Sequence, residues 1–168
     1  MAPHQIKDTR LTCECGAVEF RVSGSPILGA ACHCGDCTAA AAQFEALGGA
    51  QSLRDSEGGT PCILFRKDQV TGLKGHDQLR DHRLGPQSLT RRVVATCCES
   101  PMFLDYEKGH WFSVYRARLG PNAPPIQMRI QTGGQAPRPG GTLPVHAGYP
   151  PVFMIKLMAA RLAMMLGR

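Results

Sequence analysis

Eight cysteines, at positions 13, 15, 32, 34, 37, 62, 97 and 98 of a 168-residue chain, constrain this protein more than any other feature. Such a density calls for disulfides, a metal or a redox role. The compartment separates these options. Residues 1–8 contain no apolar stretch of the kind that opens a secretory signal, and no run approaches the roughly 18 apolar residues of a membrane span. The expected compartment is the cytoplasm, where thiols stay reduced, so metal binding is favoured over disulfides, with zinc leading.

Spacing divides the cysteines unequally. Cys13 and Cys15 form a C-x-C pair, Cys32, Cys34 and Cys37 a C-x-C-x-x-C run, and Cys97 and Cys98 an adjacent pair. Short turns of this kind present two sulfurs to one ion, and two such turns far apart in sequence close a four-thiolate cage. Cys13 and Cys15 with Cys97 and Cys98 are therefore the candidate structural zinc site, which would add folding free energy directly. Cys32, Cys34 and Cys37 supply three thiolates from one loop. Three protein ligands with a vacant fourth position is the arrangement of a zinc that does chemistry. Cys62, in the apolar run Pro61–Phe65, reads as a small core residue. His33 alternates with two ligand candidates and is expected to point away from the ion.

The length suits one compact domain, and 43% hydrophobic residues suffice for a core. Only 19% of residues are charged, while Gly 19 and Pro 13 favour turns and short strands. Residues 11–22 read as a strand, a turn at Gly16 and a second strand, where Val18, Phe20 and Val22 alternate with polar residues. Further strands are expected at 27–31, 61–65, 69–73, 78–84, 89–96, 102–106 and 110–116. One helix, N-capped by Asp36 and running through Ala39 to Leu47, would stop at Gly48-Gly49. Residues 133–151, with ten Gly or Pro among nineteen, read as an irregular arm, and Val152–Leu166 as a terminal helix. The organisation is thus a mainly β zinc-binding domain over 1–132, an arm over 133–151 and a helix over 152–168.

Three motifs then carry a resemblance. Leu11-Thr-Cys-Glu-Cys-Gly-Ala-Val18, Cys32-His-Cys-Gly-Asp-Cys37 and Cys98-Glu-Ser-Pro-Met102, in this order, resemble the glutathione-dependent formaldehyde-activating enzyme family, which includes centromere protein V. The likeness covers about residues 11–118 and is closest to an uncharacterised bacterial subgroup with an adjacent Cys-Cys. It implies a zinc-containing β-tent of short antiparallel strands. It further implies that Cys13, Cys15 and Cys98 hold a structural zinc, and that Cys32, Cys34 and Cys37 hold a catalytic-type zinc where glutathione binds. The implied reaction is carbon–sulfur lyase chemistry, joining glutathione to formaldehyde as S-(hydroxymethyl)glutathione. Two positions depart from the family pattern. Ala95 stands where its first C-x-x-C cysteine falls, and Glu99 replaces its usual Gly. Cys97 is the nearby thiol left to complete the first site; adjacent cysteines chelate one ion with difficulty, so three ligands or another residue remain alternatives.

Charge bears on partners. The net charge is +6, and all of the excess lies beyond residue 107. Eight basic residues and no Asp or Glu occupy 108–168, so the other eleven stand against all 13 acids. The basic residues are dispersed, which does not favour nucleic acid. The expected partner is a small-molecule thiol such as glutathione. The alternative is a non-catalytic, zinc-stabilised binding module using the basic C-terminal region. For the mostly apolar last helix, covering the domain or a homodimer partner is favoured over contact with a membrane surface.

Overall fold

The structure, a computed structural model, describes residues 6–47, 52–134 and 139–168, the side chains of Ile6 and Lys7 excepted. Ten strands and two helices run in the order β1 (Ile6–Thr12), β2 (Glu19–Gly24), β3 (Leu28–Cys32), α1 (Gly35–Ala46), β4 (Thr60–Arg66), β5 (Val70–Lys74), β6 (Leu79–His82), β7 (Thr90–Ala95), β8 (Ser100–Tyr106), β9 (Trp111–Tyr115), β10 (Met128–Ile130) and α2 (Pro151–Met165). The fold is mainly β, as the pattern of short runs predicts. A small sheet has the order β1-β2-β5 and a larger one β10-β3-β4-β9-β8-β7-β6. Every pairing is antiparallel except that of β10 with β3.

At β4 the large sheet is buried on both faces, which explains why this strand reads as an unbroken apolar run rather than an alternating one. Ile63 and Phe65 of β4 enter a core with Leu11, Phe20 and Val22 of the small sheet. Cys62 and Leu64 enter a second core with Ala40 and Phe44 of α1 and Phe153 and Leu157 of α2. One face of the large sheet thus carries the small sheet, and the other carries the helices. The two cysteine groups divide between these faces. Cys13 and Cys98 adjoin the first core, and Cys32 the second.

Three differences from the sequence reading stand out. The cap of α1 is Cys34, not Asp36: its sulfur accepts the Cys37 N–H, so the helix starts at Gly35 and Asp36 falls in the first turn. The expected stop at Gly48-Gly49 lies outside the described residues. The second difference is β10, three residues whose place rests on its parallel pairing to β3, from Met128↔Ala30 to Ile130↔Cys32. No local alternation marks so short a segment. Third, residues 139–150 carry no helix or strand but do hold one bridge, Val145 to Arg129, which ties them to the sheet edge.

Candidate functional site

The first cysteine group is assembled from two tight turns. After β1 the chain bends through Cys13-Glu14-Cys15-Gly16, where Gly16 takes φ 75° and its N–H bonds the Cys13 carbonyl at 3.1 Å. A positive φ is accessible to glycine without a steric cost. The second turn joins β7 to β8 and carries Cys97 and Cys98. The four sulfurs lie within 4.8 Å of one another. Four thiolates bound at about 2.3 Å from one ion stand about 3.8 Å apart in a tetrahedron. The separations here are 3.6 Å for Cys13–Cys15, 3.7 Å for Cys13–Cys97, 3.3 Å for Cys15–Cys97 and 3.8 Å for Cys97–Cys98. Adjacent cysteines therefore do reach one centre. Glu99, the residue after the pair, adopts a left-handed φ of 54° in this turn. Ala95, by contrast, is wholly buried in β7 and paired with Ser100.

A hydrogen-bond network steadies this group. Ser100 Oγ lies 3.0 Å from Cys98 Sγ and accepts from the Glu14 N–H at 3.1 Å and from Arg118 Nη1 at 3.3 Å. Buried Arg118 also donates Nη2 to Glu14 at 3.0 Å. Burial raises the Cys98 thiol, but hydrogen bonds from Ser100 and Cys15 outweigh it and bring it to about 6. Cys97 is pushed up by burial and by the thiols of Cys15 and Cys13. These sulfurs together can hold a metal ion with a closed set of donors.

The second group sits where β3 ends and α1 begins. Cys32 is the last residue of β3, Cys34 caps the helix, and Cys37 lies on its inward face with Ala40, Ala41 and Phe44. All three sulfurs again fall within 4.8 Å. Cys34 accepts from the Cys32 thiol at 3.4 Å and from the Cys37 N–H at 3.4 Å. Hydrogen bonds from the Cys32 thiol first, then the Cys37 thiol, and to a smaller extent from the Cys37 N–H, hold Cys34 down to about 2, and the positive end of the helix acts in the same direction. The same contact with Cys34 raises Cys32 to about 11, and Cys37 is driven up by both neighbours and by burial. Three soft donors on one side of an ion leave a coordination position open.

Cys32, Cys34 and Cys37 line a cavity of about 480 Å³. Its walls are mostly apolar, built from Leu64, Leu104, Trp111, Ile130, Phe153 and Leu157. Cys62 also lines it, so this residue is both a core thiol, 5% exposed, and a neighbour of the triad. His33 is not among the clustered ligands; its Nε2 lies 3.3 Å from Arg129 Nη1, buried beside the Arg129–Asp55 ion pair. Two further cavity residues escape a reading of cysteine spacing. Tyr149 comes from the arm, where nothing local marks it. Arg92 leaves a trace, because the alternation of Thr90–Ala95 sets it on the same side of β7 as the buried Val94.

The model of a family of unknown function, DUF6151, matches residues 6–115. The chain belongs to this family. The matched DUF6151 region contains all eight cysteines, but β10, the arm and α2 lie beyond it. No curated protein matches the chain. A crystal structure of a Rhodobacter sphaeroides protein is similar at 19% identity over 81% of this chain and 98% of that one, with a TM-score of 0.47.

Proposed function

We propose that Cys13, Cys15, Cys97 and Cys98 hold a structural zinc, that Cys32, Cys34 and Cys37 hold a second zinc, and that the protein makes or breaks the carbon–sulfur bond of a thiol–aldehyde adduct. The observation that carries this reading is the three-sulfur group opening onto a largely apolar chamber, beside a separate four-sulfur group. All-sulfur donor sets favour zinc among common cellular ions. The eight unpaired thiols fit the reducing conditions of a cytoplasm. The likeness of the three motifs to the formaldehyde-activating enzymes supports glutathione, or a related small thiol, as one reactant and formaldehyde as the other.

When bound, zinc supplies a Lewis-acid position that lowers the pKa of an incoming thiol. The thiol sulfur adds to the carbonyl carbon. The C–S bond forms, the C=O π pair moves to oxygen, and that oxygen takes up the proton the thiol released; lysis reverses each step. The apolar walls limit competing water. Tyr149 is raised to about 12 by burial and then by the nearby Cys32, Cys34 and Cys37, so it keeps its proton at neutral pH and donates a hydrogen bond to the oxygen as charge develops there.

The test is exchange NMR between glutathione and formaldehyde with and without micromolar zinc-loaded protein. Faster exchange is expected, lost in Cys34→Ala while the first zinc is retained, and reduced roughly a hundredfold in Tyr149→Phe. Unchanged exchange with the wild-type chain overturns the lyase reading.

A second reading, a non-catalytic metal-stabilised binding module, is favoured by the outer side of α2. Ile155, Met158, Leu162 and Met165, three or four residues apart, are 64%, 69%, 57% and 75% exposed in a segment without an acidic residue. No helix among the described residues is long and apolar enough to cross a membrane. Such a stripe with basic neighbours suits a surface of anionic lipid. Flotation with vesicles containing phosphatidylglycerol, weakening as salt rises, would support this reading; absence of binding would remove it.

A further inference from the structure

Arg92 is 1% exposed and is among the largest fully buried side chains of the protein. Nη2 donates to the Asp36 carbonyl at 3.3 Å, while Nε and Nη1 have no hydrogen-bond partner. The contrast with the other buried arginines is informative. Arg118 is paired with Glu14 at 3.0 Å and Arg129 with Asp55 at 2.7 Å. Among the described residues, no carboxylate forms an ion pair with Arg92. A guanidinium stays protonated in a protein, and an unpaired buried charge is strongly unfavourable.

Asp36, the acidic residue that lines the cavity, is exposed, so the buried groups on this face able to carry negative charge are the cysteine sulfurs. Asp36, whose backbone carbonyl accepts from Arg92, lies between Cys34 and Cys37, and Arg92 lines the same cavity as the three cysteines. We propose that Arg92 is the buried countercharge of the metal-loaded triad. Three thiolates and one divalent ion sum to −1, and Arg92 brings the total to zero. An anionic fourth ligand, such as a thiolate, then enters a neutral site instead of a negative one. Arg92 is therefore a positioning residue acting through the metal, and this role rests on the reading of the triad as a metal site.

The role predicts a change of sign. With only the first cluster filled, Arg92 lacks most of its counterion and burdens the fold; with both filled, it helps. The experiment compares wild type with Arg92→Met and Arg92→Lys, measuring zinc affinity at each cluster by chelator competition and melting temperature in the one-zinc and two-zinc forms. Arg92→Met is expected to lower affinity at the triad about tenfold or more, in the range of losses on removing outer-shell partners, and to leave the first cluster unchanged. Its one-zinc form should melt no lower than wild type, its two-zinc form lower, and Arg92→Lys should restore part of the affinity. Unchanged triad affinity in Arg92→Met, or equal destabilisation of both forms, overturns the proposal. A wild-type chain that takes up a single zinc overturns the metal reading of the triad, which distinguishes that failure from a failure of Arg92 alone.

Discussion

Ser100 holds the first cysteine group in shape through one small hydroxyl. It faces the Cys98 sulfur and accepts from the Glu14 N–H and Arg118, so removing the oxygen leaves a buried arginine and a thiolate without their common partner. Ser100→Ala is expected to weaken zinc binding at this group by about ten- to a hundredfold while sparing the triad, read by chelator competition. Glu99, at φ 54°, carries the steric strain of a left-handed residue. Glu99→Gly is expected to stabilise the protein by up to about 1 kcal/mol in urea unfolding, since glycine takes that conformation freely. The cysteine positions were legible because thiols serve few purposes in a reducing compartment. That both members of the adjacent pair reach one centre was not, because it depends on the path of the turn between β7 and β8.

At the scale of elements, α1 is the clearest case of sequence patterning. Cys37, Ala40, Ala41 and Phe44 are buried at the three- and four-residue spacing of one helical face, so the face that packs the core also presents a candidate metal ligand. Phe44→Ala should cost about 3–5 kcal/mol and lower zinc affinity at the triad with it, measured by thermal melting and metal titration. The strands from 11 to 116 were readable from short apolar runs between turn residues, whereas β10 was not, its pairing being set by β3 far away in sequence. Docking of α2 depends on His110, whose Nε2 donates to the Leu157 carbonyl at 2.8 Å. Burial lowers the His110 pKa, and the bond to Leu157 offsets this in part. The neutral ring is thus favoured in the folded state and the unfolded state takes up the proton first. Stability is undiminished above the ordinary value near 6.5 and declines as pH falls from there toward the lower folded value. Melting temperatures between pH 8 and 5.5 should show this decline, and His110→Gln should flatten it in part, since burial also lowers His82 and adds to the same slope.

At the scale of the molecule, the two sulfur groups occupy opposite faces of one sheet and draw on different surroundings. A chain ending at residue 126 keeps the first group with Ser100 and Arg118 but loses Ile130, Tyr149, Phe153 and Leu157 from the cavity wall. It is expected to retain one zinc tightly and to bind an apolar dye at the uncovered sheet face, which fluorescence titration would detect; loss of both zincs would show that the segment beyond residue 126, β10 included, supports the entire fold. The arm between β10 and α2 explains why the chamber escaped the sequence while its floor did not: glycine and proline signal an irregular path without stating where it returns. The division has a consequence for descent. The sulfurs all reside in the segment that defines the family, whereas much of the chamber roof is furnished by the 53 residues that follow it. A relative that keeps these cysteines can therefore keep both sulfur groups and reshape the chamber by rewriting only its tail.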